Sequence, residues 1–423
     1  MFFFHNLLKT VINYFETTMK KSKYQSMRLG LNRREFFKLG GATAGAAAII
    51  GLKLGNPDVF AKTVNTQDNE KPKTNIEDAL KVPKTEYSLP GLFPGKVVKI
   101  ENNKILDDDK ISQKELANTF ENGIQKLTGK NLKESYNLFF KPEDVIGIKV
   151  NPVGPGLMST RIELVEVIID WLKSSGMNPN NIVIWDRFDY MLKDAGFTNE
   201  RFPGVQIEGL QTMDEEAAEG KTEDNSKWLD VNGAHLSKDN FDMEHFYWAD
   251  VDAPTDNPYL NQNVFNNKYS YFGKLVTQKL TKIINVPVFK NTGNGISMAT
   301  KNLGYGSICN TGRLHRPLFF DVCTEVLAFP ALRDKLVLNI TDAIKAQYDG
   351  GPEANARFIY DYNTLFFATD PFALDMVCNN IIFEKRKSMD VKVNDHPMFT
   401  NYLKYAETLG LGITDIEKIS VLS

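Results

Sequence analysis

The chain has 423 residues, of which 42% are hydrophobic and 24% charged, an ordinary composition for a globular protein with one large or two moderate domains. Residues 1–61 hold nine Lys or Arg and three Asp or Glu, so the remainder holds 41 and 50 and carries a net charge of −9. This acidic body argues against general nucleic-acid binding, which needs a basic surface to displace counterions.

The three cysteines, Cys309, Cys323 and Cys378, are far apart in the sequence and form no CxxC pair. Iron–sulfur clusters and thiolate zinc sites use closely spaced cysteines, so we expect no iron–sulfur cluster. The odd count also excludes a full set of disulfides, although one bridge and three free core thiols both fit the sequence.

The N-terminal residues contain the sharpest local pattern. The sequence RREFFK starts at Arg33, and an uncharged stretch rich in Gly and Ala follows over residues 39–52. Paired arginines, an aromatic residue, a lysine and a weakly hydrophobic stretch are typical of twin-arginine export signals, although an ordinary helix can carry a chance arginine pair. The stretch is short for a membrane span, and residues 59–61 fit a signal cleavage site.

We therefore predict a twin-arginine signal region over residues 1–61, cleaved after about Ala61. The translocation machinery is then a partner, and the mature chain is periplasmic or otherwise exported, with no stable membrane span. Because this route carries proteins that have already folded, any cofactor would be inserted before export. A divalent metal is one candidate cofactor.

Residues 62–90 are polar, with little apolar periodicity, which predicts a flexible linker. Beyond residue 90, strand and helix patterns alternate. The predicted strands cover residues 96–100, 144–150, 181–186, 281–290, 335–342 and 416–422. The predicted helices cover residues 112–129, 159–176, 370–385 and 398–412.

The alternation of buried strands with helices predicts an α/β fold with a mostly parallel central sheet flanked by helices. Thr160 and Glu163 form a capping-box pattern at the start of the second predicted helix. Residues from about 210 to 270 are polar and rich in turn residues, which predicts an irregular insertion. We expect residues 91–423 to form a single domain of this type.

Polar side chains follow four of the predicted strands. Ligands bind beyond the carboxyl ends of parallel strands, so these side chains are candidates for a site. If the strands are neighbours, the side chains converge on one crevice; otherwise they are ordinary solvated loop residues. The residues are Lys149 and Asn151, Asp186 and Arg187, Lys290 and Asn291, and Thr341 and Asp342.

The stretch from residue 290 to 316, KNTGNGISMATKNLGYGSICNTGRLHR, is rich in glycine, asparagine and cationic residues. Glycines let a backbone approach a ligand closely, cations attract anions, and amides both donate and accept hydrogen bonds. The spacing matches neither the P-loop nor the dinucleotide GxGxxG motif. We predict a site for a small anionic ligand such as a phosphate or carboxylate. The predicted ligand-binding residues are Lys149, Asn151, Lys301, Asn302, Asn310 and Arg313.

Three residues are predicted to carry the chemistry of this crevice: His315, Lys290 and Asp186. His315 is the best acid–base or metal-ligand candidate, although a lone histidine is often structural. Lys290 would hold the anion together with Lys301 and Arg313. Asp186 or Asp342 would orient the histidine or bind a metal. Asp342 and Asp349 are candidate ligands of a divalent metal, although the sequence DGGP that begins at Asp349 is also typical of a tight turn.

Taken together, these features resemble the domain-of-unknown-function family numbered 362, in its twin-arginine-exported branch. The resemblance covers about residues 90–423 and implies the family's α/β domain, but no settled activity. Some members carry ferredoxin-like iron–sulfur modules; this sequence lacks the cysteines for one, so electron transfer through an attached cluster is not expected. The matching motifs are PGKVVKI, KPEDVIGIKVN, TRIELVEVIIDWLKSSGMNPNNIVIWDR, KNTGNGISMATKNLGYGSICNTGRLH, LNITDAIKAQYDGGP, DPFALD and YAETLGLGITDIEKI.

Three functions fit these patterns. The first is an exported enzyme that acts on a small anionic or carbonyl compound in a crevice lined by Lys, Arg, His and Asp. The second is a periplasmic ligand- or cofactor-binding protein that uses the same crevice without turnover. The third is a structural surface protein, which the cluster of cationic and acidic candidates disfavours.

Overall fold

The computed structural model of the chain describes residues 71–211, 240–252, 268–315, 318–393 and 399–423. The predicted signal region and the first part of the predicted linker lie outside these ranges. The whole stretch from Lys71 to Ser423 belongs to one unit. In the described ranges, no helix combines the length and apolar character that a membrane span requires.

Fourteen strands can be assigned within the described ranges. In chain order they are β1 (Lys96–Glu101), β2 (Leu106–Asp107), β3 (Lys110–Ile111), β4 (Ile146–Lys149), β5 (Ile182–Phe188), β6 (Gln206–Gln211), β7 (Phe241–Trp248), β8 (Tyr269–Gly273), β9 (Lys282–Asn285), β10 (Val288–Thr292), β11 (Gly295–Ile296), β12 (Leu336–Gln347), β13 (Ile359–Ala368) and β14 (Ser420–Leu422).

The α-helices of the described ranges alternate with these strands. They are α1 (Ile76–Leu80), α2 (Gln113–Thr128), α3 (Leu132–Phe139), α4 (Ile162–Ser174), α5 (Asp189–Asp194), α6 (Ala299–Gly304), α7 (Asp321–Glu325), α8 (Pro330–Arg333), α9 (Pro371–Ser388) and α10 (Asn401–Thr408).

A ten-stranded sheet organises the fold, in the order β14-β1-β13-β12-β9-β4-β5-β6, with β10 and β11 branching from β12. The neighbours from β12 through β9, β4 and β5 to β6 are parallel. Strand β13 is antiparallel to both β1 and β12. This confirms the predicted α/β fold with a mostly parallel sheet flanked by helices.

Alternate residues of the central strands face two hydrophobic cores, as the two-residue period of a strand requires. In β5, Val183 and Trp185 belong to one core and Ile182 and Ile184 to the other. Helices α2 and α4 pack on the second face, and α6, α7, α9 and α10 on the first. The carboxyl ends of β4 and β5 emerge between these layers, where the predicted site residues lie.

The predicted strand over residues 281–290 is two strands, β9 and β10. Pro287 lies between them and has no backbone N–H with which to continue the ladder. Strand β9 pairs with β4 and with the first half of β12, whereas β10 pairs with the second half of β12. The break turns the chain out of the central layer just before Lys290.

Residues 71–90 are folded, so the predicted flexible linker does not extend over them. Ile76, Ala79 and Leu89 are buried, and the N–H of Leu89 donates to the carbonyl of Arg333 at 2.9 Å. The guanidinium of Arg333 in turn donates to carbonyl oxygens of this segment. These contacts come from residues about 250 positions later, which a local pattern cannot show.

The predicted insertion over residues 210–270 contributes a small antiparallel sheet. Strands β7 and β8 pair with each other and not with the main sheet. Their residues Phe241, Tyr247 and Phe272 are buried in the first core. Residues 212–239 and 253–267 of this region lie outside the described ranges.

Candidate functional site

A buried ion pair joins the ends of β4 and β5. The ammonium of Lys149 donates to Asp186 Oδ1, and the two residues are 1% and 7% exposed. The same ammonium donates to the carbonyl of Val150 at 2.8 Å and to Asn302 Oδ1 at 3.2 Å. Burial lowers the pKa of Lys149, and Asp186 opposes that shift. Strands β4 and β5 are parallel neighbours, so their carboxyl ends bring together two of the predicted site residues, Lys149 and Asp186.

A row of buried amides continues from this pair across the sheet. Asn302 Nδ2 donates to Asn285 Oδ1 at 2.8 Å, and Asn285 Nδ2 donates to Asn339 Oδ1 at 2.9 Å. Asn339 Nδ2 lies within 3.3 Å of the carbonyl of Ala368. Asn302, predicted to bind ligand, therefore lies between Lys149 and this row. Asn285 and Asn339 were not predicted; the available signal was an asparagine inside each apolar strand.

Gly306 lets the backbone pass directly over Lys149. A Cβ added at this position would lie 2.3 Å from the carbonyl oxygen of Asn302 and 2.6 Å from Cε of Lys149. Both distances are shorter than any van der Waals contact, so a side chain here requires the lysine to move. Gly306 thus allows the backbone to pass close to Lys149. From the sequence, we had expected the glycines of this stretch to let the backbone approach a ligand.

Lys290, in β10, is 2% exposed and has one weak polar contact within the described ranges. Its Nζ lies 3.5 Å from Oδ1 of Asn151, a neutral amide oxygen. Burial, together with the positive charges of Lys301 and Lys149, lowers the pKa of Lys290 to about 8, although Glu353 and Asp186 oppose the shift. A buried ammonium without a bonded carboxylate is costly, because the desolvated charge is not compensated.

Lys301, in α6, lies against aromatic rings. Its Nζ is 5.3 Å from the ring centre of Phe319 and 5.6 Å from that of Tyr305. The residue is half-buried, and its ammonium makes no hydrogen bond or ion pair with any residue that the structure describes. Burial lowers its pKa, and Glu353 opposes the shift. The positive charge of Lys301 is in turn one of the charges that lower the pKa of Lys290.

Helix α6 is held in place by a carboxylate from α9. Asp375 accepts hydrogen bonds from the backbone N–H groups of Ala299 and Thr300 at 2.8 and 2.9 Å, and from the Thr300 hydroxyl at 2.6 Å. Asp375 is fully buried, and this burial raises its pKa to about 6. The contact fixes the helix that carries Lys301 and Asn302.

His315 lies in a 3-10 turn, Gly312–His315, next to the same aromatic rings. Its Nδ1 is 2.9 Å from the carbonyl oxygen of Thr311, so Nδ1 carries the proton and Nε2 the lone pair. Its ring centre lies 4.8 Å from that of Tyr305. Burial and the charge of Lys301 lower the pKa of His315 to about 3, which leaves the imidazole neutral at physiological pH.

Arg313 and Asn310, predicted as ligand-binding residues, are tied to the β7–β8 insertion. The guanidinium of Arg313 is 1% exposed and donates to the carbonyls of Ala249, Val251 and Lys268 at 2.8–3.1 Å. It also bonds the hydroxyl of Ser270, and Asn310 Nδ2 donates to the carbonyl of Tyr269 at 2.7 Å. These side chains fasten the insertion to the segment that leads to His315, so we leave them out of the site.

The two aspartates predicted as metal ligands bind different arginines. Asp342 is fully buried, and its two oxygens accept from the NH1 and the backbone N–H of Arg161, each at 2.8 Å. The predicted Thr160–Glu163 capping box is accordingly replaced: helix α4 begins at Ile162, with Asp342 bonding the N–H that precedes it. Asp349 pairs with Arg386 at 3.1 Å. Within the described ranges, no group of three or more His, Cys, Asp or Glu side chains is arranged to hold a metal.

Two surface cavities lie outside this site. The larger, of about 650 Å³, is lined by β1, α2 and the terminal Ser423, and the smaller, of about 320 Å³, by α4 and residues 201–205. Neither cavity is lined by Lys149, Lys290 or Lys301. We base the site on the uncompensated cations, because cavity size by itself carries no chemistry.

Comparisons with known proteins place these residues in a family. A search of curated proteins finds no match to the chain. A crystal structure of a protein from Thermotoga maritima aligns at 7% identity and a TM-score of 0.33, over 68% of this chain and 61% of that one. The model of the domain of unknown function DUF362 matches residues 146–380, from the start of β4 into α9. Because this match covers more than half of the sequence, the chain belongs to the DUF362 family.

Proposed function

We propose that the chain is an exported enzyme that binds a small anionic substrate at the lysine cluster, defined as Lys149, Lys290 and Lys301. The observation that carries this proposal is the uncompensated charge of Lys290 and Lys301. Neither ammonium bonds a carboxylate within the residues that the structure describes. Lys290 is buried and Lys301 is half-buried. The charge of Lys301 helps to lower the pKa of Lys290, and the carboxylate of Glu353 acts on both lysines.

A substrate anion would compensate this charge. Two like charges in a desolvated region repel each other, and their cost falls when an anion is placed between them. Lys149 has already been neutralised by Asp186, so the excess positive charge resides on Lys290 and Lys301. We assign the anion to these two residues. Lys301 and His315 are half-buried and give the cluster its edge toward solvent.

Each residue then has a distinct role. Lys290 is the reactive group, because a pKa of about 8 leaves part of its population neutral near physiological pH and able to accept a proton. Lys301 holds the anion. Lys149 and Asp186 are fixed by their ion pair and act on Lys290 in opposite directions: Asp186 raises the pKa of Lys290, and Lys149 lowers it. Neutral His315, whose Nδ1 donates to the carbonyl of Thr311, lies at the solvent edge of the cluster.

A binding protein without turnover is the second candidate, and one observation favours it. Of the predicted catalytic residues, Asp186 is already held in an ion pair with Lys149, and the pKa of His315 is lowered to about 3, so the histidine is poorly suited to proton exchange near neutrality. Turnover then rests on Lys290 alone. The enzyme and the binding protein are distinguished by whether Lys290 reacts with a bound substrate.

The test of the proposed site is anion-dependent stabilisation. The exported protein would be unfolded thermally in phosphate, malonate and pyruvate, against chloride at equal ionic strength. An anion present at about 100 times its dissociation constant stabilises the folded state by about 2.7 kcal/mol. We expect this in the wild type, but not in Lys290→Met or Lys301→Met. Lys335→Met is the control, since Lys335 is half-buried like Lys301 and its pKa is also about 8, but it donates to the carbonyls of Val276 and Thr277.

Stabilisation of equal size in the wild type and in both cluster variants would contradict the proposed site. The same holds if none of the three anions stabilises the wild type beyond the chloride reference. The Lys335→Met control shows whether anion-dependent stabilisation is lost only when a lysine of the cluster is replaced, or whenever a desolvated lysine is replaced.

Export through the twin-arginine route is the second part of the proposal. It is supported by the sequence RREFFK and by the weakly hydrophobic stretch after it. Replacing Arg33 and Arg34 together by Lys keeps the charge and should stop export. Cell fractionation would follow the protein, and unchanged recovery of the processed form from the exported fraction would refute this part.

A further inference from the structure

We infer that the substrate is an anionic aldehyde or ketone and that Lys290 forms an imine with its carbonyl carbon while Lys301 binds its anionic group. This inference rests on the proposed function and specifies the substrate class and the bond that forms. It depends on the placement of two cations with different surroundings, one buried and one at the solvent edge.

The surroundings of Lys290 favour a neutral, nucleophilic amine. A lysine becomes a nucleophile when it is desolvated or lies beside another cation, since both conditions disfavour the ammonium form. Lys290 meets both, as it is 2% exposed and interacts with Lys301. Its single amide contact with Asn151, at 3.5 Å, is too long to hold the proton firmly.

Lys335, whose pKa is also about 8, shows that a lowered pKa alone does not create this situation. Its Nζ donates to the carbonyl of Val276 at 2.6 Å and to that of Thr277 at 3.2 Å. It lies directly before Leu336, where β12 begins, whereas the cluster lies at the opposite ends of the parallel strands. Lys335 is therefore a half-buried lysine that is hydrogen-bonded to two carbonyls, whereas Lys290 is a buried lysine with one long amide contact among the described residues.

Lys301 supplies the second part of the substrate class. Its ammonium lies over the rings of Phe319 and Tyr305, which fix the side chain without neutralising it. An anionic group bound there would place the rest of a small molecule next to Lys290. A carbonyl compound with a nearby carboxylate or phosphate fits this arrangement, because one end is held and the other is open to attack.

The proposed step balances without a further reactant. The lone pair of Lys290 Nζ forms a bond to the carbonyl carbon, and one amine proton moves to the carbonyl oxygen to give a carbinolamine. The C–O bond then breaks, and the oxygen leaves as water with the second amine proton. Amine and carbonyl thus give imine and water, with no oxidation or reduction.

The experiment traps this imine. The exported protein would be incubated with pyruvate, or with dihydroxyacetone phosphate, and then reduced with cyanoborohydride. Peptide mass spectrometry would locate the modified lysine. We expect modification at Lys290 to exceed that at Lys335 by roughly tenfold or more. Both lysines have a pKa of about 8, but the amine of Lys335 is engaged by two backbone carbonyls, whereas that of Lys290 has one long contact with an amide oxygen. The two probes distinguish a carboxylate-bearing substrate from a phosphate-bearing one.

Variants sharpen the result. Lys301→Met should lower trapping of both anionic probes at Lys290 more than it lowers trapping of neutral acetone. Loss of the neighbouring cation reduces the neutral amine for all three probes alike, whereas loss of the anion contact affects only the two anionic ones. Lys335→Met should trap like the wild type. Modification of Lys290 no faster than that of Lys335 by either anionic probe would overturn the inference. If phosphate and pyruvate stabilise the protein but nothing is trapped, the imine fails and the anion site stands; if neither occurs, both fail.

Discussion

Lys290 and Asn151 meet through one hydrogen bond of 3.5 Å, between the lysine Nζ and the amide oxygen Oδ1. A buried cation is thus held by a neutral oxygen at the limit of hydrogen-bond length, while a second cation, Lys301, acts on it from nearby. Lys149, by contrast, has a bonded carboxylate in Asp186. The difference between these lysines is the basis of the predictions below.

Replacing Lys290 by Met should stabilise the protein in the absence of ligand. The substitution removes an uncompensated buried charge and keeps a side chain of similar length, so we expect a gain of about 1–3 kcal/mol in the free energy of unfolding at neutral pH. Chemical denaturation measures this gain. The control Lys335→Met should lose stability, because two backbone carbonyls lose their donor.

The gain from Lys290→Met should also depend on pH. The folded-state pKa of about 8 lies below the ordinary value of 10.5, so the unfolded chain binds more protons than the folded chain between these values. Wild-type stability therefore rises with pH across this window, and the advantage of the variant shrinks. An advantage that stays constant from pH 8 to 10.5 would contradict the assignment of Lys290 as an uncompensated buried amine.

Replacing Asp186 by Asn should destabilise the protein by about 3–5 kcal/mol, because it leaves the buried ammonium of Lys149 without its carboxylate. The double variant Lys149→Met with Asp186→Asn should recover at least part of this loss, since it removes both charges. Glu166→Gln is the control: its partner Arg201 is half exposed, and we expect a loss below about 1 kcal/mol. Additive losses in the double variant would show that the pair is not coupled.

Replacing Gly306 by Ala should displace Lys149. The new Cβ would overlap the carbonyl of Asn302 and the end of the lysine side chain, and we expect a loss of about 1–3 kcal/mol together with weaker anion binding. Thermal unfolding with and without phosphate measures both. Gly129→Asn is the control. A side chain at position 129 would point into open space, and asparagine tolerates the left-handed backbone there, so the free energy of unfolding should change by less than about 1 kcal/mol. A neutral result at Gly306 would argue against a tightly fitted Lys149.

His315 should make the protein sensitive to acid. Its folded-state pKa of about 3 lies below the ordinary 6.5, so the unfolded chain binds the extra proton and stability falls as the pH falls through this window. The loss approaches about 1.4 kcal/mol per pH unit at its steepest. His315→Gln should remove this contribution, whereas His245→Gln, at a largely exposed position, should not. Parallel stability curves for wild type and His315→Gln would contradict a buried neutral imidazole.

Fully buried parallel strands are readable from sequence because they appear as continuous apolar runs, and β4 and β5 were located this way. Strand β13 was missed, since its first half, IYDYN, is only partly buried and mixes polar with aromatic residues. The fold of residues 71–90 was also missed, because the few apolar side chains there are buried by partners distant in the sequence.

The site was predictable to the extent that it follows from strand ends. Lys149 and Asp186 lie at the ends of adjacent parallel strands, and Lys290 follows the break at Pro287. The surroundings of Arg313 were not predictable, because the carbonyls that bind it belong to the irregular insertion. Residue type shows that a side chain is cationic, but only the fold shows whether that charge is already compensated.

The most direct test of the anion site is the rate at which individual lysines are acetylated, followed by peptide mass spectrometry with and without phosphate at constant ionic strength. Lys290 and Lys301 are compared with Lys335, a half-buried lysine of the same molecule whose pKa is also about 8. We predict that phosphate slows acetylation at Lys290 and Lys301 and leaves Lys335 unchanged. Equal rates at Lys290 and Lys301 with and without the anion, or protection of all three lysines alike, would contradict the existence of this site.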